Sequence, residues 1–397
     1  MIIKFNIFSK LALAHFLGWL VAQFVYVPMG ISGDQGGYLS GENINSVNIF
    51  TNRTDFTGFF YSKISVIFPG ILTALVSTLL VAIAIYYASK YFLPWINLRS
   101  FWLANLFPHF LIWSSLASKE AIFIIPSIYL VSFCAKLAFD EPFPGWQIGW
   151  HFLILLFMFF MRPTYAIGYG YLLISSLILS SSFSLKIKQA NSIKKFSNTS
   201  AIILFFIFFC AISFIICQYI FNNQSDAYAY MSTFQSYFLS YDGNTNRSNI
   251  EWDSAASFFS NMLWGIPFSI IGFTPAEALE NVKYLPAFLE GIIAFLFLIW
   301  MLIKLIGRAK VDLNVRSALY LCFLPALFIM ILAHYPLGIF NPGSAIRYKQ
   351  SLAPAFYFYP LFLLSLHIKN RNYFSTQNTF ASSQQLPKPS TALTHSL

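Results

Sequence analysis

The chain has 397 residues, 57% of them hydrophobic and only 10% charged, with a mean hydropathy of +0.65. Soluble domains carry about 25% charge, so that class is excluded; the apolar runs are long and continuous, which excludes a β-barrel with strands alternating over about ten residues. The net charge of +10 sits in short loops between apolar runs, where the positive-inside bias explains it better than a nucleic-acid partner does. The composition predicts an all-α, polytopic transmembrane protein of about 10–11 spans.

Lys4 and Lys10 precede the first apolar run, 11–29, which places the N-terminus in the cytoplasm. That run lacks a small-x-small cleavage site and reads as a signal anchor. A polar loop, 30–63, carries SGDQGGYLSG, and the run 64–88 returns to Lys90 and Arg99. The short runs 101–116 and 121–136 are joined by Ala117-Ser118-Lys119-Glu120. The run 150–161 ends at Arg162-Pro163, where proline must break or kink the helix. The run 165–183 leads to a cytoplasmic loop with Lys186, Lys188, Lys194 and Lys195. The run 201–221 is followed by a second polar loop, 222–257. The segment 258–273 is apolar but interrupted at Gly265-Ile266-Pro267 and Gly272, and 285–305 ends among Lys304, Arg308, Lys310 and Arg316. The last runs, 318–335 and 352–367, flank NPGSAIRYKQSLAP, in which a Pro342-Gly343 turn is followed by Arg347 and Lys349. Residues 1–372 thus form one membrane domain with outer loops 30–63 and 222–257; the Ser/Thr/Gln-rich stretch 373–397 reads as a disordered cytoplasmic tail. Cys134, Cys210, Cys217 and Cys322 lie inside apolar runs without metal spacing.

Topology turns on 258–273. If it dips and returns, about ten spans result, both termini are cytoplasmic and most cations fall inside. The charged residues nearest the membrane on the outer side then come from separate loops: Asp34, Lys119-Glu120, Arg162 and Arg347-Lys349. An Arg fork beside Lys is the chemistry that grips phosphate, and such a group at one membrane face suits an anionic lipid head group. Each residue also has a structural reading. GDQGG is ordinary turn composition, Lys119-Glu120 can cap a short helix, and Arg162, Arg347 and Lys349 can snorkel to head groups. Glu251 and Asp253 form a carboxylate pair of the kind hard cations take, but acidic patches on solvated loops are commoner, so no metal or other cofactor is implied. His109, mid-span, is expected to bond across helices; His334 is a weaker site candidate.

GDQGGY after the first run resembles the first-loop acidic motif of glycosyltransferase-C enzymes. WSSLASKEAIF, MRPTYA and NPGSAIRYKQSLAP resemble bacterial integral-membrane repeat-unit polymerases of O-antigen and capsule clusters. The resemblance covers residues 1–370 in architecture and short motifs in detail. It implies a glycosyltransferase-C-like fold in the bacterial inner membrane and a polyprenyl-diphosphate-linked glycan as substrate, alongside membrane lipid and other polysaccharide-assembly proteins as partners. Asp34 would be the catalytic base, and Lys119, Glu120, Arg162, Arg347 and Lys349 would form the phosphate-binding set. Tyr228, Tyr230, Tyr237 and Tyr241 could stack on sugar rings. A transferase using a polyprenyl-phosphate sugar is the near alternative; a lipid-linked glycan flippase or a non-catalytic scaffold is the distant one.

Overall fold

A computed structural model describes residues 2–29, 33–41, 46–180 and 260–383, together with the isolated positions 207, 236, 247, 250 and 257. Every element formed by the described residues is helical. In chain order they are α1 (Ile2–Val21, extended by a π-helical turn, Ala22–Tyr26), α2 (Gln35–Ser40), α3 (Arg53–Ile67), α4 (Ile71–Ser89), α5 (Leu98–Leu106), α6 (Pro108–Trp113), α7 (Lys119–Ala138), α8 (Trp146–Met161) and α9 (Pro163–Leu179). Then come α10 (Met262–Ile271), α11 (Pro275–Glu280), α12 (Leu285–Ala309), α13 (Leu313–Ser317), α14 (Leu324–Phe340), α15 (Pro342–Lys349) and α16 (Tyr359–Ser383).

Local chemistry fixes the starts. The side chains of Asn52, Asn97, Ser118, Thr274, Asp312 and Asn341 each accept a hydrogen bond from a backbone N–H of the first helical turn. Pro108, Pro163, Pro275 and Pro342 open their helices, where a missing N–H costs nothing.

Among the described residues, five helices are long and apolar enough to cross a membrane: Asn6–Tyr26, Ile71–Ser89, Lys119–Ala138, Val282–Ala309 and Leu313–Phe340. A sixth arises if Pro342–Lys349 and Pro354–Asn372, bent by 54°, count as one span. The chain is therefore a multi-pass membrane protein, all-helical among the described residues, and several of its apolar runs there are broken or short. The run 101–116 divides at Phe107-Pro108 into α5 and α6. At 1.5 Å per residue α8 and α9 reach only about 24–26 Å. The run 64–88 begins as a span only at Ile71, after Gly70 turns the chain with a φ of +57°. The run 201–221, apart from position 207, and the tyrosines of the second loop lie outside the described residues, and the final helix continues to Ser383, past residue 372.

Pairings define two ends of the bundle. Trp19 donates to the Ile71 carbonyl at 3.0 Å while Phe8 packs on Tyr86, so α1 and α4 are antiparallel. Tyr61 bridges Ser77 and the Ser118 carbonyl, and Ser132 donates to the Ala88 carbonyl, so α4 and α7 run together. Ser180, closing α9, donates to Asp140 beyond α7. One end thus collects residues near 30, 118, 162 and 342; the other collects 90, 140, 180 and 312. The buried core between them runs through α4, α7, α9, α14 and α16.

Helix α10 does not span. Its ten residues reach about 15 Å. Ile250 before it packs on Tyr335, Ile339 and Phe340, and Gly272 after it abuts Ile346, so both flanks lie at the Asp34 end. Arg247 fastens this corner: it donates to the Ile339 carbonyl at 3.0 Å, the Gly272 carbonyl at 2.8 Å and the Glu277 carboxylate at 2.5 and 2.7 Å. It satisfies carbonyls that the end of α14 would otherwise leave open. Cys134 and Cys322 are buried and free of disulfides.

Candidate functional site

The site assembles around Glu120. Ser118 caps α7, which puts Glu120 in its first turn, fully buried. Pro163 forces a helix break, and Arg162, the residue in the break, turns inward and pairs with Glu120 Oε1. Arg347 reaches the same carboxylate from α15, its Nε 3.2 Å from Oε1 and its Nη2 3.5 Å from Oε2. Arg347 Nη2 also donates to Asp34 Oδ2 at 2.9 Å. A buried amide pair delivers Asp34: Gln23 and Gln35 exchange hydrogen bonds of 3.1 and 2.9 Å. Gln35 Oε1 also accepts from the Ala117 N–H at 3.0 Å, stitching α2 to the residues before α7. Gly33 makes the approach possible: its φ is +59°, and a Cβ there would stand 3.0 Å from Arg347 Nη1.

Aromatic rings form the walls. Arg162 lies 4.4 Å from the Tyr348 ring centroid, and Arg347 lies 5.7 Å from Tyr348 and 5.9 Å from Trp113. Lys119 turns the other way, donating to Thr54 Oγ1 at 2.8 Å and lying 5.8 Å from the Tyr38 ring. The Arg53 guanidinium, beside Thr54, lies close enough to act electrostatically on both Lys119 and Arg162.

The five residues Asp34, Lys119, Glu120, Arg162 and Arg347 therefore converge. Glu120 does not face solvent; it holds two guanidiniums at a fixed separation. Asp34 is the open carboxylate, its side chain 56% exposed. Burial alone would raise the Asp34 carboxyl; the Arg347 guanidinium, helped by Lys119 and a hydrogen bond from Tyr38, outweighs burial and holds it below its usual range. In this arrangement Asp34 is ionised but weakly basic. An anion that drew Arg347 away would return basicity to Asp34. Lys119 and Arg53 add positive charge beside the two clamped guanidiniums, so the cluster as a whole attracts anions.

Lys349 does not join them. The sequence reading placed a turn at Pro342-Gly343, but Asn341 caps a helix there and Pro342 opens it. Residues two apart on a helix point to different sides, so Arg347 meets Glu120 while Lys349 is fully buried 3.5 Å from Glu290 Oε2. Glu290 Oε1 pairs in turn with His109 Nδ1. This second polar cluster bonds His109 across helices, as expected. Its carboxylate, Glu290, was missed, although one acid in an otherwise apolar span is the signal that marks such groups. Arg53, Trp113 and Tyr348 were missed because nothing in local sequence ties them to a site. His334 bonds Tyr165 at 2.8 Å and the Ser269 carbonyl at 3.0 Å and serves packing. Glu251 and Asp253 lie outside the described residues.

Removing one partner of a buried pair strands a charge at a cost of about 3–5 kcal/mol, whereas an apolar pair of similar volume is often neutral. Glu290→Leu alone is expected to lower stability by that amount, and Glu290→Leu with Lys349→Met to lower it less. Thermal unfolding of both in one detergent checks this; a double variant less stable than the single one would refute the pairing.

No protein family, curated protein or solved structure matches this chain.

Proposed function

We propose that the chain is a membrane-embedded glycosyltransferase of glycosyltransferase-C-like architecture. Its substrate is a polyprenyl-diphosphate-linked oligosaccharide, and it polymerises such repeat units into surface polysaccharide at the outer face of a bacterial inner membrane. The observation that carries this reading is the pair Arg162–Arg347 clamped by buried Glu120, with Asp34 at its open side and Lys119 and Arg53 adding positive charge nearby. In the reaction, an acceptor sugar hydroxyl attacks the anomeric carbon of the donor glycan. The bond from that carbon to the diphosphate oxygen breaks, the electron pair leaves with the polyprenyl diphosphate, and the hydroxyl proton passes to Asp34. Arg347 and Lys119 offset charge gathering on the leaving diphosphate. As the diphosphate engages Arg347, Asp34 loses its partner and gains basicity when a base is needed.

The buried His109–Glu290–Lys349 cluster favours a second reading. Ionisable groups inside a helical body are common in transporters, so a lipid-linked glycan flippase stays in view. Proteoliposomes containing the protein and a polyprenyl-diphosphate oligosaccharide separate the cases. Longer glycans with release of polyprenyl diphosphate support polymerisation. Addition of one sugar from a polyprenyl-phosphate donor identifies the simpler transferase. Movement of the lipid-linked glycan between leaflets without chain growth replaces the proposal with transport.

A further inference from the structure

At the end of the bundle opposite Asp34, a cleft of about 660 Å³ opens where α12 turns into α13 beside α16. Its polar wall carries Arg308 and Arg371, both exposed and without an ion pair among the described residues. The nearest carboxylate, Asp312, makes no ion pair with either arginine among the described residues; its oxygens are bonded elsewhere. Asp312 Oδ1 accepts from the backbone N–H groups of Asn314 at 2.9 Å and Val315 at 3.3 Å, capping α13, and Asp312 Oδ2 pairs with His367 Nδ1 at 2.7 Å. Neighbouring Arg316 is also committed, donating to the Ala309 and Lys310 carbonyls. The cleft therefore presents two guanidiniums without an ion pair among the described residues, beside an acid whose oxygens are hydrogen-bonded to other groups. Its rim is apolar, with Val311 77% and Leu313 67% exposed. The long apolar helix α12 and the apolar start of α16 lead to it, so it stands where a membrane-spanning body meets head groups.

Two guanidinium forks with no ion pair among the described residues, above an apolar rim, match a phosphate attached to something hydrophobic. We propose that this cleft binds a phosphate group, supplied by an anionic lipid head group or by a soluble phosphate ester, held by Arg308 and Arg371. The site is separate from the Glu120 cluster and independent of the reaction assigned there. The apolar rim gives a lipid an advantage that a soluble ester lacks, because Val311 and Leu313 contact glycerol and upper acyl carbons.

The test uses the full-length protein in detergent, with bound lipid counted by native mass spectrometry. Dioleoylphosphatidylglycerol, dioleoylphosphatidylcholine and inorganic pyrophosphate are the probes. Cations near a membrane surface add their attraction for an anionic lipid, so Arg308→Gln with Arg371→Gln is expected to weaken phosphatidylglycerol retention by roughly tenfold or more. Lys90→Gln with Arg99→Gln removes as much charge from the same end, outside the cleft, and is expected to change retention by less than about twofold. Leu313→Glu, which places a carboxylate at the rim, is expected to match the double arginine variant. Preference for phosphatidylglycerol over phosphatidylcholine identifies lipid as the source; displacement by pyrophosphate in the wild type but not in the arginine variant identifies a soluble ester. Equal losses in the two double variants, or no loss in either, overturn the proposal.

Discussion

Arg347→Ala is expected to reduce glycan transfer by about 10²–10³-fold, since removing one preorganised donor to a developing negative charge costs about 2.7–4 kcal/mol. The position is unusual in serving two carboxylates. Arg347 Nε approaches Glu120 at 3.2 Å and its Nη2 donates to Asp34 at 2.9 Å. A planar fork can do this; an ammonium cannot, so Arg347→Lys is expected to restore only part of the rate. The loss should fall on kcat more than on KM, because charge builds on the leaving diphosphate as the bond breaks. The variant also changes the pH profile in a determined direction. In the native protein burial raises the Asp34 carboxyl and Arg347 more than offsets it. Without Arg347 the burial effect is opposed only by Lys119 and Tyr38, so the Asp34 carboxyl rises. A base must be ionised to act, and the acid limb of the kcat/KM profile, which reports the free enzyme, is therefore expected to move to higher pH. Rates measured from pH 4 to 9 in the wild type, Arg347→Ala and Asp34→Asn check both points. Wild-type transfer in Arg347→Ala would remove the phosphate role, and an acid limb that stays in place would remove Asp34 as the titrating base.

The convergence of Asp34, Lys119, Glu120, Arg162 and Arg347 was legible because each lies where an apolar run meets a loop, and hydropathy with charge bias sorts loops to one end. The break at Arg162-Pro163 was legible because proline cannot continue a helix. Three features were not. Lys349 was grouped with Arg347 because Pro342-Gly343 resembles a turn, whereas Asn341 caps a helix and rotates the two cations apart. Which apolar runs form unbroken helices was not legible, because hydropathy does not register interruptions such as those at Phe107-Pro108 and Gly70. Glu120 was grouped with phosphate ligands, but burial makes it the anchor of two arginines, a distinction that depends on packing between α7, α9 and α15.

That anchoring role sets an order among stabilities. Glu120→Ala strands two guanidiniums, Arg162 and Arg347, of which Arg162 is buried and Arg347 only 14% exposed. Its cost is expected to reach at least the about 3–5 kcal/mol typical of one broken buried pair. Arg162→Met removes a partner from the same carboxylate but leaves Glu120 paired with Arg347, so its cost is expected to be smaller, about 1–3 kcal/mol. Glu120→Gln falls between, because an amide oxygen still accepts from one guanidinium while its charge is gone. The order differs from that of an ordinary one-to-one salt bridge, where either deletion strands one charge. Arg347 has a second partner in Asp34 and can swing toward solvent, so part of the Glu120→Ala cost can be relieved; Arg162, fixed in the break before Pro163 and stacked on Tyr348, has no such exit. Combining Glu120→Ala with Arg162→Met is therefore expected to recover stability relative to Glu120→Ala alone, a non-additivity that direct neighbours show and distant sites do not. Unfolding midpoints for the three single variants and the double variant, measured in one detergent at one salt concentration, give the order directly. An Arg162→Met variant as unstable as Glu120→Ala, or a double variant less stable than either, would mean that Glu120 binds one arginine and that the clamp does not exist.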